Sequence, residues 1–212
     1  MKDIAVVKKS EPVESQSNRH SARRFKDNRW LILVAFVLMS TGAYLLYLTQ
    51  APKLPNIPFV SAASIDLNTK DDATDNRDRI QIEKINLEVP FYTGGSADVL
   101  EKGAWHRYPD RGDPQKGGNF ILSAHRFRMA ATPWNTKEHS PFYNIDQLNV
   151  GDSMRVYFNG KWYDYEVTKK YRVNPDAVSI ETPSKEAKLT LYSCTLGGSA
   201  DGRDVIEAKL RK

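Results

Sequence analysis

From Trp30 to Leu48 the chain runs without a single charge through Leu, Ile, Val, Ala and Phe, with Trp30 at one end and Tyr44 and Tyr47 near the other. About 20 apolar residues cross the hydrocarbon core of a bilayer, and aromatic side chains favour its two interfaces. The run is longer than the roughly 7–15-residue apolar core of a cleaved signal peptide, so it reads as an uncleaved transmembrane anchor. Arg19, Arg23, Arg24, Lys26 and Arg29 flank it on the N-terminal side. By the positive-inside bias that flank stays in the cytoplasm and everything after Leu48 lies outside the cell membrane. The expected organisation is a cytoplasmic tail over 1–29, the anchor over 30–48, an extracellular linker over 49–78 and a folded domain over 79–212.

Charge follows the same division. Eight basic and four acidic residues precede Trp30, which puts +4 of the formal net charge of +5 in the tail. The remainder is nearly neutral, so the basic balance gives no reason to expect a nucleic-acid partner. The tail has no apolar period and reads as disordered. In the linker, Pro52, Pro55 and Pro58 precede a polar run from Asp66 to Asn76. Proline stiffens the first half and charge solvates the second, as suits a spacer. The Asp cluster lacks the glycine turn and terminal glutamate of an EF-hand, and no metal or cofactor is expected.

From Arg79 the pattern becomes that of short strands. Ile80 and Ile82 alternate with polar residues, as do Ile85, Leu87 and Val89 before Pro90. Ser96 to Lys102 reads as one helical turn stopped by Gly103, and Phe120 to His125 as a buried strand ending at a histidine. Arg126 to Ser140 reads as a polar loop. Phe142, Ile145 and Leu148 share one face of a short helix at threefold spacing. Met154–Phe158 and Trp162–Tyr171 are two strands joined by Asn159-Gly160, residues suited to the positive φ of a tight hairpin turn. Val173 to Lys188, with Pro175 and Pro183, is a long loop. Many short strands and little helix imply a barrel or sandwich of roughly 130 residues.

The only cysteine, Cys194, closes an apolar strand, Leu189-Thr190-Leu191-Tyr192, and Gly197, Gly198 and Gly202 mark a loop just beyond it. Arg203 then opens a second apolar run with Val205, Ile206, Ala208 and Leu210. A lone exported cysteine has no intrachain partner, which leaves packing, reactivity or an intermolecular link. Attack on an amide needs a thiolate, a proton donor for the departing amine and a group that holds the carbonyl oxygen's charge. Cys194, a histidine and Arg203 would supply one of each. His20 lies in the tail and His139 in a polar loop, while spacing alone divides the choice between His106 and His125.

The stretches Gly118-Asn119-Phe120-Ile121-Leu122-Ser123-Ala124-His125-Arg126, Pro141 to Leu148 and Gly151-Asp152 resemble the histidine region of the sortases. Thr190-Leu191-Tyr192-Ser193-Cys194 resembles their T-L-x-T-C signature, and Arg203 with Val205, Ile206 and Ala208 their final arginine strand. The likeness runs in order from Ile80 to Leu210. It implies an all-β, sortase-type closed β-barrel of about eight strands with short helices, behind a single N-terminal transmembrane helix. It also implies Cys194 as nucleophile, His125 as general acid and base, and Arg203 as orienter and oxyanion stabiliser; His106 falls on the G-x-x-H segment, away from the cysteine. Ser193 departs from the usual threonine and Ser123-Ala124 from Ala-Gly, and neither change removes a catalytic group. The insertion Phe127 to Ser140 is long enough to reshape a groove beside His125.

The activity so implied is that of a cofactor-free cysteine transpeptidase. It would cleave an LPXTG-like sorting signal near the C-terminus of exported proteins and pass the acyl group to an amine of a peptidoglycan precursor or of a pilin. The absence of a second apolar span after Arg203 speaks against the pilus-polymerising members. Two other readings stand beside it: a cysteine peptidase that releases acids to water, and an anchored binding module in which Cys194 is core packing.

Overall fold

A computed structural model describes residues 29–53 and 76–211. The expected tail, apart from Arg29, and residues 54–75 of the expected linker lie outside the described residues. The chain divides into two units near Leu45. Helix α1, Arg29–Gln50, has 22 residues, which at 1.5 Å per residue is about the thickness of a bilayer's hydrocarbon core. Among the described residues it is the one helix long and apolar enough to cross a membrane.

The folded unit is built from nine strands: β1 (Arg79–Ile82), β2 (Leu87–Thr93), β3 (Ala104–Arg107), β4 (Gly112–Asp113), β5 (Gly117–Ser123), β6 (Ser153–Phe158), β7 (Lys161–Val173), β8 (Lys188–Thr195) and β9 (Gly198–Leu210). Their lateral order is β3-β2-β1-β6-β7-β9-β8-β5, and β3 pairs with β5 to close the ring. Eight strands therefore form the barrel, and the two-residue β4 hangs on β5 outside it. β2–β3 and β5–β8 are parallel pairs. A parallel pair makes both strands finish at the same rim.

Period-two patterning decides which side chains fill the barrel. Ile80 and Ile82 of β1, Val89 and Phe91 of β2, Phe120 and Leu122 of β5, and Leu189 and Leu191 of β8 join one buried interior cluster. The alternate residues Ile121, Tyr192 and Val205 face outward and are covered by Ile180, forming a smaller cluster on the outside of the wall. Ile180 belongs to a 3-10 turn, Val178–Glu181, within the long loop expected between β7 and β8. At the β6–β7 hairpin, Asn159 has φ 47° and Gly160 φ 81°, the left-handed pair that a two-residue turn requires.

Three expectations change in the structure. The stretch Arg126 to Ser140 is not all loop: Pro133–Glu138 forms helix α2, where the Thr132 side chain accepts from the Asn135 amide and Pro133 sits in the first turn. Phe142, Ile145 and Leu148 are fully buried, but the chain carries them through turns ending in a 3-10 turn, Ile145–Gln147. Threefold spacing is the natural period of that tighter helix. The glycine-rich loop after Cys194 is shorter than its composition suggests, because β9 begins at Gly198.

The Phe142 ring is fully buried in the interior, while its amide bonds the His125 carbonyl at 3.1 Å. Phe142→Ala is expected to destabilise the barrel by about 3–5 kcal/mol, read as a lower urea midpoint at unchanged m-value. A midpoint equal to wild type would contradict this placement of the core.

Candidate active site

Cys194 stands one residue from the end of β8, directly across the antiparallel ladder from Arg203 on β9. Opposed residues in such a ladder hold their Cβ atoms about 4.5–5.5 Å apart on one face. On the other side of β8, the parallel register pairs Ser123 with Tyr192. The ladder continues one residue further, the Ala124 amide donating to the Tyr192 carbonyl at 3.4 Å. Two steps on from Ser123 and Tyr192 come His125 and Cys194. Cys194 and Arg203 therefore stand opposite one another, and His125 follows the end of β5 on the other side of β8.

The face they share follows from the alternation. Leu189 and Leu191 point into the barrel, and Tyr192 points out into the smaller cluster. Cys194 follows Tyr192 onto the outer face and is half-buried. Next to it the β8–β9 register breaks: after Cys194 opposite Arg203, the next pair is Thr195 opposite Gly198. Residues 199–202 are thus pushed out as a bulge. Two bonds fix its shape, the Thr195 hydroxyl to Asp201 Oδ2 and the Arg203 guanidinium to two carbonyls, Ser199 at 2.8 Å and Gly202 at 2.9 Å. One nitrogen of Arg203 makes both carbonyl bonds, which leaves its other donors without a protein acceptor among the described residues.

His125 Nε2 lies 3.3 Å from Glu101 Oε1, at the end of the 3-10 turn Ala97–Glu101, and Arg128 NH2 approaches the same oxygen at 3.4 Å. Glu101 was not legible as part of this site, since 24 residues and three strands separate it from His125 and no spacing rule joins them. Gly103 makes the short return from that turn into β3 possible: a Cβ there would come within 2.4 Å of the Pro90 carbonyl oxygen. Ser96 precedes the turn, which spans only Ala97–Glu101, and its hydroxyl bonds the Asp98 carboxylate and caps no backbone amide.

A second polar cluster braces the wall beside Cys194. The Tyr192 hydroxyl donates to Glu181 and accepts from Arg107 NH1 at 2.7 Å, and Arg107 pairs with Glu181 at 2.8 Å. The guanidinium of Arg107 also stacks on Trp105 and Tyr108. Burial, reinforced by the Glu181 carboxylate, raises the Tyr192 pKa well above the ordinary tyrosine value, so the hydroxyl stays a donor. These contacts fasten the β7–β8 loop to the outer face next to the cysteine.

The other histidines have different surroundings. His106 faces the barrel interior, edge-on to Phe91 and Phe120, with Nε2 3.2 Å from the Gly112 carbonyl. His139 is half-buried and bonds the Asn135 carbonyl at 2.7 Å at the end of α2, so it is a helix-end contact more than a freely solvated ring. No cluster of His, Cys, Asp and Glu suited to a metal ion occurs among the described residues.

The chain is a closed eight-strand barrel with a half-buried thiol near the end of one strand, opposite an arginine on the next. A family model for the sortase domain matches residues 80–211. The chain belongs to the sortase family. It is 32% identical over 134 residues to Sortase D of Bacillus subtilis (strain 168), an alignment covering 61% of each chain. It is 27% identical to Sortase A of Bacillus anthracis over 55% of this chain and 50% of that one. The chain thus spans between half and two thirds of the length of these curated relatives. Among solved structures it is similar to a Clostridium perfringens Sortase D5 transpeptidase, with a TM-score of 0.54 and 26% identity over 64% of this chain and 79% of that one. Listeria monocytogenes sortase A has the same fold, with a TM-score of 0.55 and 23% identity over 64% and 86% of the two chains.

The environment of His106 predicts how the barrel responds to acid. Desolvation lowers its pKa below the ordinary histidine value, against the opposing pull of the Gly112 carbonyl and the Asp113 and Asp78 charges. The unfolded chain therefore takes up a proton that the folded barrel refuses. This contribution to stability is complete above about pH 6.5 and is lost as pH falls through the lowered folded value. His106→Leu is expected to flatten the fall of the urea midpoint as pH drops below about 6.5, and equal slopes in both proteins would count against this account.

Proposed function

We propose that the protein is a membrane-anchored cysteine transpeptidase in which Cys194, His125 and Arg203 perform the reaction. The carrying observation is that Cys194 stands opposite Arg203 in the β8–β9 ladder, while on the other side of β8 His125 comes two residues after the last β5–β8 pair. α1 holds the chain in the membrane, and the basic flank keeps the N-terminus in the cytoplasm, so the barrel works at the outer face.

The Cys194 thiolate attacks the carbonyl carbon of a scissile peptide bond in an LPXTG-like sorting signal. The carbonyl π electrons move onto oxygen, and the free donors of Arg203 hold that negative charge. As the tetrahedral adduct collapses, His125 delivers a proton to the departing amine nitrogen and a thioester remains on Cys194. An amine of a cell-wall precursor or another surface protein then attacks the thioester. His125 takes its proton, the Cys194 thiolate leaves, and a new amide joins the exported protein to its acceptor. Bonds broken and formed balance, and no cofactor enters.

Arg203 suits its part because two loop carbonyls already hold one edge of its guanidinium. A donor fixed before substrate arrives loses little freedom in the reaction. The relatives named Sortase A and Sortase D, and the Clostridium perfringens protein described as a transpeptidase, support the same reading.

The test uses the full chain in detergent micelles, a panel of sorting-signal peptides and an amine acceptor, with products identified by mass. The amine adduct is expected from wild type. Cys194→Ala and His125→Ala should abolish it, and Arg203→Ala should lower kcat/KM by a factor of about 10² to 10³. Turnover retained in Cys194→Ala would sink the assignment, and acid product alone in the presence of amine would favour the peptidase.

A further inference from the structure

Arg126 directly follows His125, and Asp204 directly follows Arg203. These two residues meet. Arg126 NH1 lies 3.2 Å from Asp204 Oδ2, while its NH2 lies 2.8 Å from Asp146 Oδ1. The other oxygen of Asp204 accepts from Arg172 Nε at 2.9 Å. Arg126 is only 3% exposed, and its Nε has no hydrogen-bond partner among the described residues.

The route of this pair through the fold gives it meaning. In the barrel, β8 lies between β5 and β9. Asp204 stands opposite Ser193 in the β8–β9 ladder, and Ser193 is 1% exposed. Alternation turns Ser193 and Asp204 to the inner side of the wall and their neighbours Cys194 and Arg203 to the outer side. The Arg126–Asp204 pair therefore spans from the end of β5 to β9 behind β8, on the inner side of the sheet. It joins the residue after His125 to the residue after Arg203, while the thiol occupies the outer side between them.

Net stability is a poor explanation of such a pair. Taking a guanidinium and a carboxylate out of water costs several kcal/mol, and apolar residues of similar volume are often equally stable. A charge pair does supply directionality, because its two ends have a preferred separation and orientation.

We propose that Arg126 and Asp204 are positioning residues, whose ion pair fixes the segment ends that carry His125 and Arg203 and so holds both groups on the Cys194 thiol. The inference rests on the reading of those three residues as the reacting groups. Asp146 and Arg172, both more exposed than the pair they flank, extend the network outward from each end.

Asp204→Asn is the sharpest probe, since it keeps the shape of the side chain and removes the charge. Two readouts are taken on the full chain in micelles. The first is the rate of Cys194 alkylation by iodoacetamide, which needs no peptide substrate. A through-space effect of removing a nearby anion would speed thiolate formation, and loosening of the wall would expose the sulfur and also speed it. Loss of positioning does the opposite, and a fall of about threefold or more is expected. The second readout is peptide turnover, in which kcat should drop at least about tenfold with KM within about twofold.

Arg126→Met combined with Asp204→Leu removes both buried charges together. It should restore the urea midpoint towards wild type without restoring kcat or the alkylation rate. Alkylation unchanged or faster in Asp204→Asn, or full activity in the apolar double variant, would overturn the proposal. Failure of the functional reading looks different: Cys194→Ala would retain turnover, while the alkylation experiment still reports on the pair.

Discussion

Because β5 runs parallel to β8, and β8 antiparallel to β9, the β8–β9 hairpin and a strand from a distant part of the chain are locked side by side in the barrel wall. Each pairing is a ladder with period-two alternation, so a slip of one residue in either would turn a side chain to the opposite face. The interior prevents the slip. Phe120 and Leu122 on β5, Leu189 and Leu191 on β8, and Ile206 and Ala208 on β9 are all buried in the same cluster. Moving any one strand by a residue would turn these side chains out of the interior and bring polar ones such as Thr190 and Glu207 into it. The faces on which His125, Cys194 and Arg203 stand are thus set by apolar residues inside the barrel.

The wall carries different chemistry on its two sides. Most of the interior is apolar, and His106 is tolerated there because it is held neutral between Phe91 and Phe120, with a carbonyl to bond. At the rim charges enter the inner side, through Arg126 and Asp204. On the outer side the small cluster of Ile121, Ile180, Tyr192 and Val205 seals the strand that presents the thiol. Arg107, Glu181 and Tyr192 then bind the β7–β8 loop over that seal. The cysteine sits where apolar cover ends and polar rim begins, a setting that leaves a thiol both ordered and reachable.

Much of the barrel is legible in the sequence. The β6–β7 hairpin could be read from Asn159-Gly160, because few residues accept two successive left-handed angles, and β8 from its apolar mix running into glycines. The buried trio Phe142, Ile145 and Leu148 was visible from its spacing, though spacing does not separate a short helix from a 3-10 turn. Helix α2 was missed because its six residues bury only Thr136 and leave no apolar stripe. Glu101 was missed for a different reason: a carboxylate in an exposed turn carries no local signature, and its approach to His125 depends on how β3 returns past β5.

By itself the sequence determined the apolar span of α1, the alternation that builds the strands, and the identities of a thiol, an imidazole and a guanidinium at strand ends. Those are local properties, written in composition and in periods of a few residues. Only the tertiary structure decided that β3 closes on β5, that Cys194 faces outward between the other two groups, and that Arg126 meets Asp204 behind it. Such facts depend on register between segments up to 78 residues apart. Register is chosen by which faces of all eight strands can be buried together, a condition that no single stretch of the chain contains.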